Sequence, residues 1–126
     1  KDIGKKTIIH GDAVGTNIII NEYGKIKFID MRGKNGTENS IYGDWLYDWA
    51  KLYQSLIGYD KILLDKMIRI EYEKKMINCF EKYFAEMFSA EDLENVKLIT
   101  KSLLFSLIPL HDNDKCKNYY ALMSSL

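Results

Sequence analysis

The sequence predicts an α+β domain, mainly α, with a β-hairpin at the front and four to five helices behind it. Three observations predict this. Two short runs rich in β-branched residues, 18–20 and 25–29, flank Asn21-Glu22-Tyr23-Gly24, a segment with turn chemistry and a glycine suited to positive φ. From Asp44 onward, apolar residues recur at helical spacing. Residues 31–42 hold Gly33, Asn35, Gly36, Asn39 and Ser40 without periodicity, which predicts a loop between the two parts.

The elements follow in order. Residues 7–9 form a short apolar run, and 18–29 form the hairpin. From Asp44 to Ile57, Trp45, Trp49, Leu52 and Leu56 keep helical spacing, and Gly58 ends the run. Residues 60–88 read as largely helical, with Met76, Cys79, Phe80, Tyr83, Phe84 and Met87 on one stripe. The alternation in IRIEY, 68–72, suggests a short extended interruption there. Ser89 with Asp92 resembles a capping box, so the next helix runs from Ala90 to about Leu107, and Pro109 stops it. A last helix covers 115–123. The chain shows no internal repeat and no low-complexity segment.

Composition narrows the function classes. The 126 residues suffice for one domain with a core, and 47% hydrophobic with 29% charged is ordinary globular usage. Eighteen basic and eighteen acidic residues cancel, so the footprint of a general nucleic-acid binder is missing. No apolar run approaches the roughly 20 residues of a membrane span, and the first residues carry no apolar signal-peptide region. Cys79 and Cys116 lie far apart without metal spacing, which predicts reduced core thiols in a cytoplasmic protein.

The first thirty residues carry the chemistry. Asp12 and Asn17 share one loop, and Asp30 leaves the far end of the hairpin. Antiparallel partners face each other at about 5 Å, so the turn brings residue 30 back toward residue 17. A carboxylate and an amide oxygen are both hard ligands suited to Mg²⁺. Asp12 can then reach a substrate hydroxyl, orient it and accept its proton. Taken singly, Asp12 also suits a turn cap, Asn17 a turn and Asp30 a strand end. His10 reads as a structural histidine, and Asp48, on an otherwise apolar helix, needs hydrogen-bond partners. Among Tyr42, Trp45, Tyr47, Trp49, Tyr53 and Tyr59, most are expected in the core, with one or two lining an acceptor pocket. His111 and Asp112 are expected on a surface loop.

His10-Gly11-Asp12-Ala13-Val14-Gly15-Thr16-Asn17 resembles the protein-kinase catalytic loop, H-x-D-x-x-x-x-N, followed by a metal-binding Asp. HGD, then FID after a hairpin, then YGDWLYDWAKL at 42–52, is similar to the aminoglycoside phosphotransferase and choline kinase branch of the kinase-like fold. FIDMRG with the helix after it looks nearest to phosphotransferase domains of bacterial capsule and surface-polysaccharide proteins. The resemblance covers 7–59; beyond that the chain matches only in being helical.

This resemblance implies a C-terminal kinase-like lobe, with ATP as co-substrate and a sugar, aminoglycoside or amino alcohol as hydroxyl acceptor. Asp12 would be the catalytic base, and Asn17 and Asp30 would hold Mg²⁺. His10 would support the loop, Asp48 would accept hydrogen bonds from its backbone, and Asp44 would cap the helix. Arg32 departs from the commonest pattern and is a candidate to touch an anionic substrate or phosphate. The family's N-terminal lobe, with its phosphate-covering loop and strand lysine, has no counterpart here: Lys5, Lys6 and Lys25 lack a suitable strand or glycine-rich context. The expectation is a single domain, residues 1–126, that is the catalytic lobe of a longer protein and has little activity alone. The alternative is a non-catalytic lobe kept as a scaffold or interaction module.

Overall fold

A computed structural model of the protein describes residues 4–67, 69–111 and 113–126. Short strand β1 (Lys6–Ile8) leads into the 10–17 loop, which ends in a 3₁₀ turn at Gly15–Asn17. A hairpin of β2 (Ile18–Ile20) and β3 (Ile26–Phe28) follows, then β4 (Lys34–Asn35), β5 (Glu38–Asn39) and β6 (Tyr42–Asp44). Behind them come α1 (Trp45–Leu56), α2 (Tyr59–Leu63), α3 (Ile70–Met87), α4 (Ala90–Leu107) and α5 (Asn113–Ser125). The molecule is α+β and mainly helical, with each small sheet two-stranded. Among the described residues no helix is long and apolar enough to cross a membrane.

Local chemistry explains the hairpin. Asn21 Oδ1 accepts from the Tyr23 and Lys25 amides at 3.0 and 2.8 Å, and Gly24 sits at φ +75°. That turn sets the register Ile18↔Phe28, Ile19↔Lys27, Ile20↔Ile26. Strand β1 joins a different sheet. It pairs antiparallel with β6, Lys6 opposite Asp44, so the strand entering the loop and the strand entering α1 lie side by side.

The core forms where α1, α3, α4 and α5 meet, around Leu46, Ala50, Tyr53, Phe84, Val96, Leu104 and Tyr119. Trp49 meets Phe84 and Phe88 edge-on, with ring centroids 5.3 and 5.7 Å apart. Thr100, fully buried, places its hydroxyl 2.8 Å from the Val96 carbonyl and 3.2 Å from that of Ala50, which ties α4 to α1. Tyr53 donates to Glu81 at 2.6 Å, and burial followed by that bond raises its phenol well above the ordinary range. Ser89 caps α4, accepting from the Asp92 amide at 3.0 Å.

Several expectations need correction. The interruption within 60–88 comes earlier than 68–72: α2 stops at Leu63, Asp65, at φ +52°, turns the chain, and α3 already begins at Ile70. The stripe of α3 holds at Phe80 and Phe84, which face the core together with Ile77, while Met76, Tyr83 and Met87 are exposed. Cys79 moves with them and is exposed, so it is no core thiol; Cys116 is half-buried, its thiol 2.8 Å from the Ile108 carbonyl. Residues 31–42 are not wholly loop, since β4 and β5 pair within them and Tyr42 begins β6. Residues Ile68 and Asp112 lie outside the described residues. His111 packs its ring 5.2 Å from that of Tyr119 instead of standing clear on the surface.

Two predictions follow from the core. Phe84→Ala, at a fully buried position, is expected to lower unfolding free energy by about 3–5 kcal/mol in a denaturant melt. Tyr119, fully buried with no hydrogen-bond partner for its hydroxyl among the described residues, has its phenol pushed up to about 12, chiefly by burial. The folded state therefore keeps this proton where the unfolded chain has lost it. Stability should fall as pH rises from about 10 toward 12, by up to about 1.4 kcal/mol per pH unit. Tyr119→Phe should shed that part of the slope while staying near wild type at pH 7; identical alkaline slopes in the two proteins would contradict this.

Candidate active site

The loop 10–17 is held by one polar stripe of α1. Asp44, at the N-cap, accepts from the Leu46 amide at 2.8 Å and starts the helix. One turn on, Asp48 takes two backbone donors. His10 N–H donates to its Oδ2 at 2.7 Å and Gly11 N–H to its Oδ1 at 2.8 Å. Lys51 reaches Asp12, Nζ to Oδ1 2.9 Å, and the Ser55 hydroxyl accepts from the Gly15 amide at 2.8 Å. Positions 44, 48, 51 and 55 share a helix face, while Leu46, Ala50 and Tyr53 turn to the core.

Within the loop the side chains lock one another. Asn17 Nδ2 donates to Asp12 twice, to its carbonyl at 3.0 Å and to Oδ2 at 3.1 Å. The Asp12 amide donates to His10 Nδ1 at 3.3 Å, which makes Nδ1 the acceptor nitrogen and leaves the proton of a neutral ring on Nε2. The His10 ring lies 5.6 Å from that of Phe28. Gly11 has φ +81°, and a Cβ there would stand 2.9 Å from Arg32 Cβ; only glycine suits that approach.

Residues 29–32 cross this loop. The Ile29 amide donates to the Asn17 carbonyl at 3.0 Å and the Arg32 amide to the His10 carbonyl at 2.9 Å. Asp30 is carried between those anchors. It is exposed, at φ +57°, and its carboxylate makes no hydrogen bond or ion pair with the described residues. Asp12 and Asn17 are thus in direct contact, while Asp30 is brought to the loop by backbone bonds alone. Arg32 donates from Nη1 to the Tyr47 hydroxyl at 3.2 Å. Lys6 lies in β1 with its ammonium 5.4 Å from the Tyr42 ring centroid, so it does have a strand, though one paired only with β6.

A second acid stands beside Asp12. Asp60, at the start of α2, has a carboxyl raised above its ordinary value by burial, against hydrogen bonds from Ser55 and Gly15 and the charge of Lys51. Its Oδ1 is buried without a hydrogen-bond partner among the described residues. Tyr59 is raised too, first by burial and then by the charges of Asp12 and Asp60. Lys51, Ser55 and Asp60 were not singled out in the sequence. The signal for Lys51 and Ser55 was the spacing 44, 48, 51, 55, a polar line down an otherwise amphipathic helix; Asp60, on α2, lies off that line.

Two cavities bear on the site. One of about 330 Å³ lies under the loop, lined by Ile8, His10, Phe28, Met31, Asp48 and Trp49 among others. A larger one of about 530 Å³ lies at α2 and α5 and touches none of residues 10–17. The smaller one touches the loop's supports, His10 and Asp48, while Asp12, Asn17 and Asp30 line neither cavity.

Compared with protein-family models, curated proteins and solved structures, the chain matches none. The geometry therefore carries the functional reading. Among the described residues no three His, Cys, Asp or Glu side chains gather into a metal site. The candidate set differs in kind, with two carboxylates and one amide. Asn17 turns its nitrogen to Asp12, and among the described residues its Oδ1 has no donor and Asp30 is unpaired and exposed. Amide and carboxylate oxygens are of the kind a hard cation such as Mg²⁺ takes.

Asp48→Ala removes the acceptor of two backbone amides. It is expected to cost about 2–4 kcal/mol in a denaturant melt and to speed hydrogen exchange at His10 and Gly11 without loss of helix. Unchanged exchange at both amides would show that Asp48 does not hold the loop.

Proposed function

We propose that this chain carries the machinery for ATP- and Mg²⁺-dependent phosphoryl transfer to a hydroxyl of a small molecule. The acceptor classes are a sugar, an aminoglycoside or an amino alcohol, with the resemblance to capsule-associated domains favouring a sugar. The observation that supports this most is the contact of Asp12 with Asn17, in a loop that the Asp30 segment crosses. In this reading the molecule is the C-terminal lobe of a kinase-like phosphotransferase, working in the cytoplasm beside a lobe that covers the nucleotide.

The roles follow from position. Asp12, with 41% of its side chain exposed, is open to an incoming hydroxyl. It orients that hydroxyl and takes its proton as the oxygen bonds to the γ-phosphorus and the bond to the β–γ bridging oxygen breaks, releasing ADP. Asn17 Oδ1 and the Asp30 carboxylate would hold Mg²⁺, which supplies positive charge to the phosphate oxygens. His10, Asp44 and Asp48 keep the loop in place, and Arg32, steadied by Tyr47, is free to meet an anionic group on the acceptor.

One observation favours the second reading, an interaction module without catalysis. Ile20, Ile26 and Phe28 share a hairpin face and are 64, 61 and 52% exposed, an apolar surface that suits a covering partner. Phosphate transfer from labelled ATP to a panel of sugars, aminoglycosides and amino alcohols separates the two. In the intact protein, Asp12→Asn should lower turnover about 10²–10⁴-fold, with the melting curve unchanged. Asp30→Ala should also lose turnover and recover part of it at high Mg²⁺. Full activity in both variants would remove the phosphotransferase reading.

A further inference from the structure

We infer that Lys51 is a positioning residue for Asp12: it and Asn17 each hold one carboxylate oxygen, so the carboxylate is fixed before any acceptor arrives. Lys51 Nζ lies 2.9 Å from Oδ1 and Asn17 Nδ2 lies 3.1 Å from Oδ2. An exposed aspartate on a loop ordinarily samples several rotamers, and ordering it during a reaction raises the barrier. Here the two donors remove that freedom in advance.

Lys51 is suited to this by its surroundings. Its side chain is only 13% exposed, against 41% for Asp12, and its ammonium lies 5.7 Å from the centroid of the Tyr59 ring. A half-sheltered ammonium needs a carboxylate partner more than a surface lysine does, so the pair is better defined than a solvated ion pair. Asp60 also feels the Lys51 charge, but the direct contact of the ammonium is with Asp12. Lys51 follows Asp48 by three residues on α1, and Asp48 binds the His10 and Gly11 amides. One helix face thus fixes both the backbone before residue 12 and the carboxylate of residue 12. The ammonium also puts positive charge on the Oδ1 side of Asp12. A divalent cation is thereby directed away from that oxygen, toward Asn17 Oδ1 and Asp30.

The kinetic part of this inference rests on the phosphoryl-transfer reading; the positional part does not. Three-bond Hα–Hβ couplings of Asp12 report its χ1 populations in the protein, Lys51→Met, Lys51→Gln and Lys51→Arg. A single rotamer is expected in the wild type, averaging over two or more in the Met and Gln variants, and a return to one in the Arg variant. Amide exchange at His10 and Gly11 should stay within about twofold of wild type, because Asp48 holds them independently. An unaveraged Asp12 in a folded Met or Gln variant, or loss of His10 and Gly11 protection along with it, overturns the inference. The first outcome shows Lys51 to be idle and the second shows it to be a loop tether. In the intact protein, Lys51→Met should lower kcat about 10–100-fold with the KM for ATP within twofold, and Lys51→Arg should recover most of it. Should Asp12→Asn leave turnover intact, the phosphotransferase reading fails while the couplings still decide the role of Lys51.

Discussion

The site depends on one constraint, that a buried face of α1 and a polar face of α1 are set by the same helical pitch. Asp48 cannot accept from the His10 and Gly11 amides unless α1 is seated with Leu46, Ala50 and Tyr53 in the core. Three or four residues make one turn, so Asp44, Asp48, Lys51 and Ser55 arrive on one line at intervals of about 5 Å. The loop 10–17 is extended enough for its donors and its carboxylate to meet that line in order: His10 and Gly11 at Asp48, Asp12 at Lys51, Gly15 at Ser55. An irregular segment with no ladder of its own thus finds partners for its backbone, as buried amides must.

The core explains why α1 can be so demanding. It is gripped from three directions: by the aromatic rings of Phe80, Phe84 and Phe88 against its Trp45 and Trp49, by Thr100 of α4 on its backbone, and by the residue just before β1, where the Trp45 amide donates to the Lys5 carbonyl. Close packing transmits displacement instead of absorbing it. A helix so fixed is a stiff support against which a loop can be held. The strand pairing of β1 with β6 closes the ring, since it lays the strand that enters the loop antiparallel to the strand that enters the helix, Lys6 opposite Asp44.

The hairpin, the loop, the Ser89 cap and the helices were legible because each is local. Asn21 and Gly24 make their own turn, and Ser89 and Asp92 satisfy each other three residues apart. What was not legible came from contacts distant in sequence. A lysine on an amphipathic helix reads as a solvated charge, and nothing within ten residues of Lys51 marks its partner as Asp12. On α3 the stripe is right at Phe80 and Phe84, but Met76, Tyr83 and Met87 are apolar enough to suggest a core face they do not form. Shape decided instead, with Phe84 between Trp45 and Trp49. Pairing of β1 with β6, across more than thirty residues, likewise leaves no periodic trace in either strand.

The three oxygen-bearing residues of the loop region differ in how far their neighbours commit them, and that difference fits a division of labour. Asp12 has both oxygens engaged, so its direction is settled by the protein. Asn17 spends its nitrogen on Asp12 and keeps its oxygen open. Asp30 is anchored only through the backbone, by Ile29 on one side and Arg32 on the other, and its carboxylate is unpaired at a left-handed φ of +57°. A residue other than glycine holds such a conformation at a cost of about 1–3 kcal/mol when its surroundings impose it. Here the two backbone bonds flanking residue 30 impose it. The group that accepts a proton must be aimed in advance, because its angle to the hydroxyl decides the rate. The groups that bind a cation gain from being unsatisfied beforehand, because every oxygen already bonded to a donor must be freed before it can ligate. Under the proposed phosphoryl transfer, a fully committed Asp12 in contact with an Asn17 that keeps its oxygen open, with Asp30 held near by its backbone, is compatible with both demands.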